Sequence, residues 1–316
     1  MADLQGAPIL ITGGAGFIGA HLTRRLLEAG ARVHLIVRPS TDLRRLAGMM
    51  DQVSIHRGDL LDAGEVREVV ANVRPRWIFH LAVRRGHPHT PEERLELLRS
   101  SLMGTAHLLE AARDSGITRL IHIGSSLEYG PYPRAIRERD PLRPTTDRGV
   151  AKAAASLLVA FYARAFGLPA VILRPFYVYG PGQPPEQLIP TLLRAALTGE
   201  EVRLTVPGYR HDFVFVEDVV EACLRAVARS VRPGEAFNIG TGIQWTNEEV
   251  AAWVESITGR PLRLRIGAHP PSPPDTSCWV ADIRKAQRRL QWSPRWDLPA
   301  GLRRTLEWMQ RHGDPA

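Results

Sequence analysis

The sequence predicts an α/β fold: a doubly wound parallel sheet with a second, smaller α/β domain. Three observations point there. Short apolar runs alternate with amphipathic stretches through the first half of the chain, as in strand–helix–strand units covered by helices on both faces. Three glycines fall between the first apolar run and the first helical pattern. After Gly180 the alternation gives way to prolines, short strands and longer loops.

Taken in order, "PILITG" (8–13) reads as a buried strand and "AHLTRRLLEAG" (20–30) as an amphipathic helix stopped at Gly30. "RVHLIVR" (32–38) and "VSIHRGDL" (53–60) are the second and third strands, and "GEVREVVANV" is the next helix. "WIFHLAV" (77–83) is the fourth strand, followed by the long helix "EERLELLRSSLMGTAHLLEAARDSG". "RLIHIGSS" (119–126) is the fifth strand, and "DRGVAKAAASLLVAFYARAFG" is a helix closed by Gly167. "PAVILRPFYVYG" (169–180) is the sixth strand. The expected division is a first domain over 1–179, with part of 211–242 returning to it, and a second over 180–316.

Composition narrows the function. A chain of 316 residues with 44% hydrophobic and 23% charged residues can bury a sizeable core. Its two cysteines, Cys223 and Cys278, give neither a disulfide framework nor metal-ligand spacing. The start shows no basic segment leading into an apolar one, and no apolar run reaches about 18 residues. A cytoplasmic chain with no membrane span and no metal is therefore expected. The net charge is +8, but the arginines are interspersed with acids and no basic stripe carries interleaved aromatics. Nucleic acid is not an expected partner; an anionic small molecule is.

"TGGAGFIG" sets Gly13, Gly16 and Gly19 three residues apart, after a strand and at the start of a helix. Glycines there let the backbone approach a pyrophosphate that also meets the helix N-terminus, the Rossmann arrangement. Phe17 and Ile18 belong to the same turn. An acid at the end of the second strand would hold the ribose diol of NAD; this chain has Arg38 there, followed by Ser40 and Thr41. An arginine with two hydroxyls suits a 2′-phosphate, so NADP(H) is the expected cofactor. Asp59 and Leu60 are expected at the adenine edge. Leu81, Ala82 and Val83 after the fourth strand, with Pro175 and Val178, are further expected cofactor contacts.

Together "TGGAGFIG", "GDL", "IFHLA", "IGSSLEYG", "LRPFYVYGPGQ", "RHDFVFVEDV" and "FNIGTG" resemble the extended short-chain dehydrogenase/reductase family, the NAD-dependent epimerases and dehydratases, over nearly the whole chain. The resemblance implies a Tyr-x-x-x-Lys pair at the start of the helix after the fifth strand, and a serine at that strand's end. Lys152, one of only two lysines in the chain, matches the lysine, which the resemblance implies contacts the nicotinamide ribose of the cofactor, and Ser125 matches the serine. Arg148 stands where the tyrosine belongs; a guanidinium does not give up its proton, so it either offers charge to a developing alkoxide or faces solvent. Other departures are Tyr177 for the substrate asparagine, Ser101 for a helix asparagine and Ser272 near the place of a diphosphate-clamping arginine. Ser126 and Leu127 replace the dehydratase acid pair, with Glu128 one residue late. Tyr177 becomes a candidate proton donor and an aromatic platform. His87 and His89 are loop histidines that either relay protons or are simply solvated.

These departures lead the sequence reading to an atypical NADPH-dependent ketoreductase. Its small-molecule substrate would be a carbonyl of a secondary metabolite such as an aromatic polyketide, with the proton supplied by the substrate or by water. The missing tyrosine resembles that of the atypical ketoreductases of angucyclinone biosynthesis. The alternatives are a nucleotide-sugar epimerase, dehydratase or reductase, and a non-catalytic NADP(H)-binding protein. A homodimer is expected through the helices at 92–113 and 150–166.

Overall fold

β1 (Pro8–Thr12) sends Ile9 and Ile11 into one core and Leu10 into another, and all three are fully buried. Such two-sided burial is what a parallel strand between two helical layers requires. In this computed structural model, which describes residues 4–83, 88–271 and 275–313, α1 (Phe17–Glu28) leads from β1 to β2 (Arg32–Val37), and β3 (Val53–Arg57) follows beside it. The chain then passes back across β1 through α2 (Ala63–Val73), β4 (Trp77–His80), α3 (Pro91–Arg113), β5 (Arg119–Ile123), α4 (Asp147–Ala165) and β6 (Ala170–Pro175). Helix starts follow their capping residues. Asp62 accepts the Gly64 and Glu65 amides, Thr90 and Glu93 form a capping box before Pro91, and Thr146 accepts the Gly149 amide.

Beyond β6 the chain leaves the large sheet. β7 (Tyr177–Tyr179) leads through α5 (Leu188–Thr198), β8 (Glu201–Arg203) and β9 (Arg210–His211) to β10 (Phe213–Phe215) and α6 (Val216–Ala228). β11 (Ala236–Ile239) then rejoins the large sheet beside β6. β12 (Trp245–Thr246), α7 (Asn247–Thr258), β13 (Arg263–Arg265), α8 (Arg284–Leu290) and α9 (Leu298–His312) complete the chain. The large sheet has seven parallel strands in the order β11-β6-β5-β4-β1-β2-β3. Residues of α1, α6 and α8 fill the core on one face, and those of α2, α3 and α4 fill the other. A separate core gathers Tyr179, Phe213 and Phe215 with α5, α7 and α9. No helix among the described residues is long and apolar enough to cross a membrane.

Two expectations need correction. The apolar runs overreach at their C-terminal ends: β3 stops at Arg57, β4 at His80 and β5 at Ile123. The run 169–180 is also two strands. Phe176 still donates its amide to Ile239 of the large sheet, but Tyr177 donates to Asp212, and β7 pairs with β10 instead.

Candidate active site

The chain reverses its march across the sheet between β1 and β4, and ligands of open parallel sheets bind at the C-terminal ends of strands flanking such a reversal. Gly13 leaves β1 at φ +74°, and a Cβ there would stand 2.7 Å from the Ala82 amide nitrogen. A Cβ on Gly19 would lie 2.1 Å from the Gly13 carbonyl oxygen, and one on Gly16 3.1 Å from it. Gly16 caps α1 in an extended conformation with no side-chain cap, and no acid occupies the first turn formed by Phe17, Ile18 and Gly19. A cradle that a Cβ would fill, opening on an uncapped and acid-free helix N-terminus, fits the pyrophosphate of a dinucleotide.

The loop after β4 closes against this cradle. The Leu81 amide donates to the Thr12 carbonyl at 3.0 Å, and the Ala82 amide donates to the Thr12 hydroxyl at 3.4 Å. That hydroxyl lies 2.6 Å from His80 Nδ1, and His80 Nε2 lies 2.9 Å from the Thr105 hydroxyl. Because Thr105 donates to the Ser101 carbonyl at 2.6 Å, it accepts from His80, which fixes a neutral Nε2–H tautomer. Burial holds His80 down at about 3, consistent with that form. The described segment then ends at Val83, which is exposed.

Arg38 and Ser40 are exposed just beyond β2, in a turn closed by the Thr41 amide on the Arg38 carbonyl. Arg57 Nη1 steadies that turn by donating to the Pro39 carbonyl at 3.2 Å. Asp59 lies beyond β3 and accepts the Leu61 amide at 2.9 Å, while Leu60 lies against Gly104 of α3. Pro175 ends β6, and Val178 lies within β7.

Lys152 is no surface lysine: it is 7% exposed, and its Nζ donates to the Ile123 carbonyl at 2.6 Å. Burial draws its pKa down to about 8, with Arg148 pushing the same way and Glu128 opposing. Arg148 is half-buried one helical turn earlier, so it does not simply face solvent. The start of α4 packs on the turn that carries Ser125; a Cβ on Gly149 would stand 2.5 Å from the Leu127 carbonyl oxygen. Ser125 Oγ accepts the Leu127 amide at 3.2 Å, and the Ser125 amide donates to Glu128 Oε1 at 2.9 Å. Ser125, Arg148 and Lys152 therefore converge at the edge that holds the glycine cradle.

Other candidates fall elsewhere. Tyr177 is packed in the second core against Phe213 and His211, its hydroxyl donates to Gln187 at 3.1 Å, and burial pushes it up to about 12. The part-buried ring packs on the second core, and its strand pairs with β10 rather than with the large sheet. His89 is exposed, and its amide donates to Glu93 beside the α3 capping box; His87 and Ser272 lie outside the described residues. Glu128 is no displaced dehydratase acid but a fully buried partner of Arg174 at 2.7 Å. Sequence reasoning missed Arg174, although an arginine inside the apolar run "VILRPF" was a signal, and it missed Asn238 and the chain through His80.

Comparison with known proteins sets these features in a wider frame. A model of the NAD dependent epimerase/dehydratase family matches residues 9–240. A dTDP-glucose 4,6-dehydratase of Streptomyces niveus is 32% identical over 312 residues, covering 95% of this chain and 92% of the relative. A dTDP-4-dehydro-6-deoxy-D-allose reductase of Streptomyces bikiniensis is 30% identical, covering 97% of both chains. The solved UDP-glucose 4-epimerase of Thermus thermophilus in complex with NAD superimposes with a TM-score of 0.86 at 29% identity, over 96% of this chain and 99% of that one. These matches overturn the polyketide ketoreductase reading, because nucleotide-sugar enzymes align over nearly the full length, second domain included. The departures at Arg148, Tyr177, Ser101 and Ser272 taken together pointed away from that class, and similarity over nearly the whole chain outweighs them.

Proposed function

The chain belongs to the NAD dependent epimerase/dehydratase family, and from that premise we propose that it reduces the carbonyl of a nucleotide-linked keto sugar. The observation that carries the reaction type is the buried Lys152 ammonium beside the Ser125 turn, with Arg148 where alcohol oxidation would need a base. Removing an alcohol proton requires an acceptor, and a guanidinium remains protonated. Reduction needs only a proton source and positive charge near the oxygen. The sugar-nucleotide class is supported by the names of the relatives, one of which is a keto-sugar reductase.

The bound dihydronicotinamide supplies the hydride. Ser125 donates a hydrogen bond to the substrate carbonyl oxygen. Lys152 and Arg148 offer positive charge as that oxygen becomes anionic. Lys152, with its pKa near 8, then supplies the proton and regains one from solvent. Doing without a tyrosine costs about 10²–10⁴ in rate, which an activated keto sugar absorbs more readily than an alcohol.

NADP(H) is the proposed cofactor, supported by Arg38, Ser40 and Thr41 where a carboxylate would hold the NAD ribose. A homodimer is proposed through α3 and α4, whose outer faces carry Leu95 at 67%, Leu157 at 58% and Phe161 at 48% exposure. A cytoplasmic setting suits two cysteines that are both free.

The test is dihydronicotinamide oxidation by the purified protein with dTDP- and UDP-linked 4-keto-6-deoxy sugars, the class named for the Streptomyces bikiniensis relative. Consumption of NADPH in preference to NADH is expected with at least one of them. Interconversion of nucleotide-linked glucose and galactose without net cofactor consumption would make the chain an epimerase. Failure to bind any nucleoside diphosphate would end the nucleotide-sugar reading.

A further inference from the structure

The turn bearing Ser125 rests on a carboxylate that the chemistry above does not use. Glu128 is fully buried. Its Oε1 accepts the Ser125 amide and the Ser156 hydroxyl, both at 2.9 Å, and its Oε2 accepts Arg174 Nε at 2.7 Å. Gly124 makes room for it: a Cβ there would stand 2.2 Å from Glu128 Oε1. Arg174 Nη1 donates in turn to the Tyr129 hydroxyl at 2.8 Å, which donates to Asn238 Oδ1 at 2.8 Å. Asn238 Nδ2 donates to the Ile136 carbonyl at 2.9 Å. Lys152 and Ser156 are one turn apart on α4, so the residue that bonds Ile123 and the residue that bonds Glu128 share one helical face.

An apolar pair of similar volume is often as stable as a buried ion pair, so stability alone does not account for Glu128 and Arg174. We propose that Glu128 is the positioning residue of this centre: it sets the Ser125 hydroxyl through the Ser125 amide, and its charge balances the cations Lys152 and Arg174. The second half of this inference concerns Lys152 whatever the substrate; the first rests on the proposed reduction. The other groups facing this cluster are Arg148 on α4, Tyr129 beside Arg174, His122 on β5, His80 on β4 and Glu138 near Asn238. Burial keeps both histidines neutral. That leaves Glu128 to raise the Lys152 pKa and Arg148 to lower it.

The chain has only two lysines, so isotope-labelled lysine observed by NMR at Cε gives one resonance for Lys152 and one for Lys285. In the wild-type protein the Lys152 signal is expected to titrate at about 8. In Glu128→Gln its midpoint should fall by about one unit; in Arg148→Gln it should rise. No cofactor or substrate is needed, so this readout survives failure of the keto-sugar reading. Glu128→Asp keeps the charge but shortens the reach. It should leave the Lys152 midpoint in place while kcat falls about 10²-fold at unchanged KM. A Lys152 midpoint that Glu128→Gln does not move overturns the charge-balancing role. Should that variant fail to fold, Glu128→Met with Arg174→Met replaces the buried pair by apolar side chains, and a Lys152 midpoint that this double variant does not lower overturns the role instead. Wild-type kcat in Glu128→Asp overturns the positioning role.

Discussion

At the phosphate loop no acid stands in the first turn of α1, and the geometry is set by backbone: glycines that admit no Cβ, and amides aimed at one edge. On the same sheet edge, the Ser125 turn buries Glu128, Arg174 and Lys152 together, and its geometry is set by charged side chains. The backbone site tolerates no added atom and has nothing to titrate. The side-chain site holds buried groups that titrate, so it answers to pH. The difference separates holding a cofactor from moving a proton.

The sharpest way to break this contrast is Gly13→Ala. Its methyl would meet the Ala82 amide at 2.7 Å with φ at +74°, a conformation that costs an L residue about 1–2 kcal/mol. Dinucleotide affinity, followed by fluorescence titration, should fall at least about 10²-fold, since the loop must move by more than the fraction of an ångström that binding tolerates. Near-normal affinity would show that the cradle is not the phosphate site.

Lys152→Met probes the other region. Turnover should fall about 10²–10⁴-fold. The wild-type Lys152 is drawn from 10.5 to about 8, so the unfolded chain binds more protons than the folded one between those values. Stability should therefore rise through that window, by about 3 kcal/mol from this group, while activity declines as the ammonium is lost. Melting curves of wild type and variant across that range should differ by this slope. Parallel curves would mean that Lys152 titrates normally.

Arg38→Glu comes next. Loss of a charge-assisted contact worth about 1.5–3 kcal/mol should shift the KM ratio of NADPH to NADH about 10–10²-fold toward NADH. An unchanged ratio would place the 2′-phosphate elsewhere. The smallest effect is expected for Tyr177→Phe, which loses a hydrogen bond to Gln187 worth about 1 kcal/mol in thermal unfolding. Its turnover should stay close to wild type; a large fall would restore Tyr177 as the proton donor.

The first region was almost fully legible in the sequence. "TGGAGFIG" after an apolar run announces a local backbone requirement, whereas Lys152, one of two lysines in an arginine-rich chain, announces only a single residue of the second region. The second region was not, because its partners are distant. Glu128 meets Arg174 across 46 residues, and Tyr129 meets Asn238 across 109. The break at Phe176 was hidden for another reason. β6 and β7 are both apolar, so no periodicity marks the place where the strand changes its neighbours. Arg148 in place of the tyrosine, together with Tyr177, Ser101 and Ser272, drew the functional reading toward an apolar ketone.

The tie between Trp279 and Ser126 has a consequence for how the enzyme is made. Trp279 Nε1 donates to the Ser126 hydroxyl at 3.0 Å across 153 residues, and Ala281 bridges to Ile136 in the same segment. During synthesis the N-terminal strands emerge first and can begin to pair. The serine turn cannot acquire this contact until Trp279, 153 residues further on, has left the ribosome. A nascent chain stalled before Trp279 would carry its glycine loop yet lack this support for the Ser125 turn, so the two regions are completed at different times during synthesis.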